Sequence, residues 1–174
     1  MNYIKQPLLI LAMVAFVGCG KKGDGNTGVV NPNKPSPKAV PEKLITNPIV
    51  EKEIRIKLKK LTGELTEADL EKITHVSFYG QVLTEVPKEL EKLTQLERLG
   101  LHTNQLTDLK GLEKLTKLVA LDLIDNQLTS VKGLENLTKL EALYLQDNPA
   151  LTKAQIVELQ KALPECSISS NPTK

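Results

Sequence analysis

The stretch Leu96 to Lys117, LERLGLHTNQLTDLKGLEKLTK, is followed directly by Leu118 to Lys139, LVALDLIDNQLTSVKGLENLTK, and the two align without a gap at an offset of 22 residues. Leu140 to Lys153 (LEALYLQDNPALTK) opens a further copy, and Ile73 to Gln95 (ITHVSFYGQVLTEVPKELEKLTQ) is a looser one of 23 residues. A fixed period this short signifies a solenoid, in which units stack because none can bury its apolar face alone. Solenoids offer extended surfaces to partners, so the repeat points to holding rather than to reaction chemistry.

Within each copy the apolar residues fall at fixed places. Leu96, Leu99, Leu101, Asn104, Leu106, Leu109, Leu112 and Leu115 recur as Leu118, Leu121, Leu123, Asn126, Leu128, Val131, Leu134 and Leu137. Leu99-Gly100-Leu101 alternates with period two, which suits a short strand with one buried face. Asn104, Asn126 and Asn148 stand where the chain leaves the strand, and an amide there can both donate and accept towards backbone groups that lack ladder partners. These three are read as a structural ladder and not as a binding site. Leu109-Lys110-Gly111-Leu112 and Val131-Lys132-Gly133-Leu134 return with a central glycine and spacing of three, which predicts 3₁₀ turns rather than full helices. The pattern L-x-x-L-x-L-x-x-N-x-L resembles the leucine-rich repeat, and the 22-residue unit resembles the internalin-like bacterial type. The first copy departs from it, with Gln81 in place of the asparagine and a longer return through Val86-Pro87. The resemblance implies an α/β repeat fold. This is a short leucine-rich repeat solenoid with a parallel concave sheet, a 3₁₀ and loop convex side, and helical caps at both ends.

The flanks supply those caps. Asn47-Pro48 is an N-cap followed by proline at the first helical position, and Val50, Ile54, Leu58 and Leu61 then recur at helical spacing, predicting a helix from Pro48 to about Lys60. Thr66 and Asp69 resemble a capping box opening a second short helix, through about Ile73. Thr152 and Gln155 form another, ahead of the stripe Ile156, Leu159 and Leu163 and the stop at Pro164. Cys166-Ser167-Ile168 is expected to add a last strand, with the tail from Asn171 fraying. The expected organisation is 1–18 signal peptide, 19–46 lipidated cysteine and linker, 47–72 N-terminal cap, 73–151 about four repeats, and 152–174 C-terminal cap and tail.

Lys5 precedes an apolar run, Leu8 to Val17, of ten residues. A bilayer span takes about 20 residues, whereas this length suits a signal-peptide core. The run ends at Phe16-Val17-Gly18-Cys19, which resembles a bacterial lipobox with Phe16 where leucine is usual. The resemblance implies that Cys19 becomes the first mature residue and carries acyl chains. The protein would then be an extracytoplasmic, membrane-anchored lipoprotein, on the outer membrane if the cell has two membranes and on the cell membrane otherwise. Residues 20–43 are rich in glycine, proline, asparagine and lysine without periodic apolar residues, which reads as a flexible stem spanning ~30 Å as a coil.

With 23 basic against 21 acidic residues and only five aromatics (three Tyr, two Phe), the chain has no basic stripe interleaved with aromatics, which argues against a nucleic-acid partner. No G-x-S-x-G, H-E-x-x-H, P-loop or paired C-x-x-C occurs, so no catalytic residue is assigned and an enzyme is not expected. No cofactor, metal or small-molecule substrate is expected either. Cys166 reads as a small apolar cap residue.

The residues between the strand leucines project onto the concave face. They include both histidines and two of the three tyrosines, and the expected partner-binding set is His75, Tyr79, Arg98, His102, Asp122, Ile124 and Tyr144. His75 and His102 sit on adjacent strands but ~13 Å apart along them, too far to share one ion. Asp125 and Asp147 are neighbours in register, read as a solvated acidic edge with a weak calcium site as the lesser alternative. Five strands give a concave face of roughly 400 Å², small beside the ~800 Å² that each partner of a standard interface contributes. The expected function is binding of a protein or peptide through this face. The alternative is an envelope spacer without a discrete ligand site.

Overall fold

The computed structural model describes residues 43–172. The expected signal segment, Cys19 and nearly all of the stem lie outside the described residues. Five strands, β1 (His75–Ser77), β2 (Arg98–Gly100), β3 (Ala120–Asp122), β4 (Ala142–Tyr144) and β5 (Ser167–Ser169), form one parallel sheet in sequence order. Their register follows the repeat: Val76, Leu99, Leu121, Leu143 and Ile168 are aligned across it. The leucines at these and the flanking positions stack into one core.

Each strand is only three residues long, but its ladder runs on into the turn. Leu101 N–H donates to Asp122 O, Thr103 N–H to Ile124 O and Asn104 N–H to Asp125 O, and the next repeat does the same against Tyr144, Gln146 and Asp147. The chain then returns through 3₁₀ turns at Leu112–Lys114 and Leu134–Asn136, each entered from a glycine (Gly111, Gly133) with φ of 95° and 99°. That left-handed conformation is where glycine carries no Cβ penalty. The first repeat, with Pro87 and one more residue, makes a longer 3₁₀ helix at Lys88–Lys92.

The asparagine ladder is built from side chains that each bind two turns of the solenoid. Asn126 Oδ1 accepts from Leu106 N–H at 3.1 Å, while its Nδ2 donates to Leu101 O at 3.0 Å and Leu123 O at 3.1 Å. Asn104 and Asn148 repeat the arrangement one step to either side. All three are buried. Gln81 takes no part: its amide donates back to Tyr79 O on the surface, so the ladder starts at Asn104.

Helix α1 (Pro48–Leu58) begins as expected, with Asn47 accepting from Ile49 and Val50 N–H. It ends earlier than expected, at Lys59 in the left-handed region. Val50 and Ile54 are buried, but Leu61, assigned to the same apolar face, is 74% exposed because the helix stops before it can present it. The folded part also starts earlier. Ile45 is in the core, Lys92 Nζ donates to Leu44 O, and Thr46 Oγ1 and Asn47 N–H both donate to Glu89, so Leu44 to Thr46 pack into the cap rather than the stem. Both capping boxes form, opening α2 (Glu67–Leu70) and α3 (Lys153–Ala162). Asn171 does not fray from the end: its Oδ1 accepts from Asp147 N–H at 2.7 Å and its Nδ2 donates to Asp147 Oδ1, replacing the backbone that a further repeat would bring. No helix among the described residues is long and apolar enough to cross a membrane.

Candidate functional site

The outward face of the sheet is where the residues that differ between repeats collect. Across the strands, His75, Arg98, Ala120 and Ala142 form one row, and Ser77, Gly100, Asp122 and Tyr144 the next. In the first row the large side chains stand on β1 and β2 and the small ones on β3 and β4, and in the second row the order is reversed, so the small ones become a floor between them. A Cβ on Gly100 would come within 2.8 Å of Ser77 Oγ, which shows how closely the neighbouring strand's side chain lies over it. The result is a shallow depression of about 300 Å³ lined by His75, Ser77, Arg98, Gly100, Asp122 and Tyr144, with Lys57 reaching it from α1.

Four of the seven expected residues, His75, Arg98, Asp122 and Tyr144, line it, and His102 and Ile124 each touch Asp122. Tyr79 and His102 stand one row further along. Their rings stack with centroids 4.5 Å apart and an interplanar angle of 28°. His102 Nδ1 lies 3.2 Å from Asp122 Oδ2. It is buried, yet the approach is off the direction of a hydrogen bond, so Nδ1 has no hydrogen-bond partner. Asp122 is held from its other side, Oδ1 accepting from Ile124 N–H at 3.1 Å. Tyr79 and Tyr144 are 59% and 43% exposed, large apolar surfaces that nothing covers among the described residues. Ile124 differs from the expectation: it is half-buried, so it gives the face less apolar surface than its position suggested.

The face is electrically divided. Among the described residues, neither Arg98 nor Lys57 has a salt bridge or side-chain hydrogen bond, and His75 touches only the Thr74 hydroxyl, at 3.3 Å. Three basic groups thus gather at the β1–β2 end, with Asp122 towards the β3–β4 end. A larger cavity, about 560 Å³, lies in the cap between α1 and the segment around Leu65. Its basic groups, Lys43 and Arg55, are both already paired with Glu51. It offers less free positive charge than the concave face.

Position seven of each repeat has a structural task that its sequence did not disclose. Gly80, Thr103, Asp125 and Asp147 all have φ between 55° and 63°. At Thr103, Asp125 and Asp147 this left-handed turn swings the following asparagine inward. Asp125 and Asp147 are therefore turn residues, and the Asp147 carboxylate is taken up by Asn171. No group of three or more His, Cys, Asp or Glu side chains able to hold a metal gathers among the described residues. Cys166 is buried and free, and burial pushes its thiol pKa up, away from the reactive thiolate.

Lys57, Gly100 and Ser77 were not singled out from the sequence. Gly100 and Ser77 could have been, since a glycine opposite a serine in register marks a dip in an otherwise filled row. Lys57 carries no such signal, because its place depends on how the cap helix docks on β1.

No family model matches the chain, and no curated protein sequence does so either. Solved structures do. An internalin, inlF, from Listeria monocytogenes matches with a TM-score of 0.61 at 25% identity over 75% of this chain and 44% of its own. Internalin C2 from the same organism matches with a TM-score of 0.61 at 24% identity over 73% of this chain and 57% of its own. A leucine-rich repeat protein of Leptospira interrogans is 39% identical over 49% of this chain and 22% of its own, with a TM-score of 0.45. The chain thus spans less than two thirds of the length of either internalin. Its fold is that of a leucine-rich repeat solenoid, similar to the internalins.

Proposed function

We propose that this protein is an extracytoplasmic leucine-rich repeat lipoprotein, held at a membrane by a lipidated Cys19, that binds a protein or peptide through its concave face. The observation that carries the binding reading is the depression on the sheet, where unpaired Arg98 and Lys57 stand beside exposed Tyr144. Exposed aromatic surface and arginine are what interface centres use. The anchor reading is supported by the sequence of the amino-terminal segment alone.

The binding reading is tested by pull-down with the full chain and with a variant carrying Tyr79→Ala, His102→Ala and Tyr144→Ala. Partners lost from the variant support it, and an unchanged set of partners removes the site assignment. Crosslinking in intact cells addresses the spacer alternative, which predicts contacts between copies along the convex side or the ends instead. For the anchor, a palmitate analogue should label the protein and the label should vanish with Cys19→Ala. Labelling that persists in the variant, or is absent from the parent, overturns the lipoprotein reading.

A further inference from the structure

Resting on the concave-face reading, we infer that the partner is a short extended protein segment of mixed charge, with an acidic residue over Arg98, His75 and Lys57 and a basic residue over Asp122. The argument starts from register. Arg98 and Asp122 lie on adjacent strands and two residues apart along them, so ~4.8 Å and ~6.6 Å combine to a Cα separation of ~8 Å. An extended chain places residues i and i+2 on the same side ~6.6 Å apart. Two side chains of a docked segment, two positions apart, therefore reach both sites at once. One strand further, Tyr144 presents its ring to residue i+4. From His75 to Tyr144 the face is ~16 Å long, the reach of about five extended residues. The complementary pattern is acidic–x–basic–x–apolar, running across the strands.

Charge decides the class of partner. Arg98 has no acid within reach among the described residues, so a carboxylate arriving there would be met by a planar fork of donors with no competitor to displace. The three basic groups fit one anionic group and not a polyanion, because Asp122 lies in the same depression and would repel the next phosphate of a nucleic acid. The floor of Ser77, Gly100 and Ala120 leaves room for a peptide backbone, and the Asp122 carboxylate is already oriented by Ile124 N–H. Opposite charges at fixed separation select register and direction more than they add raw affinity.

The test uses the full chain in detergent and fluorescein-labelled pentapeptides with glutamate, lysine and leucine at the first, third and fifth positions and alanine between. Anisotropy should detect binding by about 1 mM peptide, weak as a site this small requires. Exchanging the glutamate and lysine should weaken it about tenfold, a loss of ~1.4 kcal/mol. Arg98→Glu, an exposed substitution whose fold is checked by circular dichroism, makes both sites acidic and should abolish most of the preference between the two peptides. Equal affinity of the parent for both peptides, or an unchanged preference in Arg98→Glu, overturns the inference. A single-stranded twelve-nucleotide DNA competing as well as the peptide overturns it in favour of an anion surface. A random peptide library panned on the same protein separates the two levels. Binders lost in Tyr144→Ala that lack the charge pattern remove this inference and leave the concave face as a binding site, whereas no enriched binder at all removes both.

Discussion

The N-terminal cap and the central repeats meet the same need, unpaired polar groups where elements end, with different chemistry. In the cap, besides the Asn47 amide that opens α1, it is met by carboxylates. Glu51 is held below its ordinary pKa by the Lys43 ammonium and then the Arg55 guanidinium. Asp69 is held well below the usual carboxylate range by the Lys60 ammonium, with the Thr66 N–H and hydroxyl and then Lys72 adding to it. At Glu89 burial pushes the pKa up, but the hydrogen bonds from Thr46 and Asn47 prevail and the net shift is down. In the repeats neutral amides do the same work, three times over. A device stacked at every ~4.8 Å step cannot carry charge, because successive carboxylates would repel at short range with little water to screen them. An amide both donates and accepts, so each copy supports the next. The cap occurs once and can afford charge.

The sharpest way to break this contrast is to put charge into the ladder. Asn126→Asp keeps the acceptor for Leu106 N–H but turns an anion towards the carbonyls of Leu101 and Leu123. An uncompensated buried charge costs about 3–5 kcal/mol, the largest effect expected of any substitution here. The folded-state pKa of that aspartate would be raised, so its penalty stands at neutral pH and is relieved as pH falls. Urea unfolding followed across pH should show stability partly recovered on acidification. Asn126→Ala, which orphans the same groups without charge, should cost about 2–3 kcal/mol and show no recovery.

The leucines come next. Leu121→Ala empties a fully buried position in the middle strand and should cost about 3 kcal/mol. Because each repeat contacts only its neighbours, the loss should be felt most in exchange protection of β2, β3 and β4, with the cap less affected. Uniform loss of protection along the chain would mean that cap and repeats unfold as one unit.

These leucines and asparagines were legible in the sequence because a repeat states the same requirement several times. Leu99, Leu121 and Leu143 share a register position, and no single-copy segment carries that redundancy. The cap was legible only where a local rule applied: Asn47-Pro48 and the two capping boxes are short-range chemistry. It was not legible where tertiary docking decided. Leu61 fits the helical spacing of Val50, Ile54 and Leu58, but the left-handed turn at Lys59 removes it from the face. The concave residues could be ranked by position, yet position could not reveal that Ile124 is half-buried or that Asp125 and Asp147 are needed for the turn. Lys57 enters the depression through helix docking, which nothing in its own neighbourhood announces.

A smaller effect, of opposite sign, is expected where the first repeat departs from the others. Val82 has φ of 58° and is 62% exposed. A β-branched residue is strained in that region and here gains little packing in return. Val82→Gly should therefore raise stability by about 1 kcal/mol, read as a higher urea midpoint with unchanged slope. A lower midpoint would show that this side chain packs more than its exposure implies.

The most pH-dependent effect belongs to Asp69→Asn, which gives up the ion pairs with Lys60 and Lys72. The amide oxygen can still accept from Thr66, and the Thr66 hydroxyl still caps Asp69 N–H, so most of the capping box survives. What the substitution removes is the titrating charge. In the unfolded chain an aspartate protonates near a pKa of about 3.9, whereas in the fold its pKa lies below that. As pH falls the unfolded chain therefore binds the proton first, and the stability that Asp69 supplies above its unfolded pKa is lost as pH drops towards the folded one. The parent should weaken below about pH 4, beginning with exchange protection in the cap. Asp69→Asn should show a flatter acid limb, while the amide ladder contributes none of the slope in either protein. An equally steep limb in the variant would move the acid sensitivity to Glu51 or Glu89, the other two carboxylates that the cap holds below their ordinary pKa. Raised salt separates the cases further, because the exposed Lys43 beside Glu51 is screened more readily than the part-buried hydrogen bond that Glu89 accepts from Asn47 N–H.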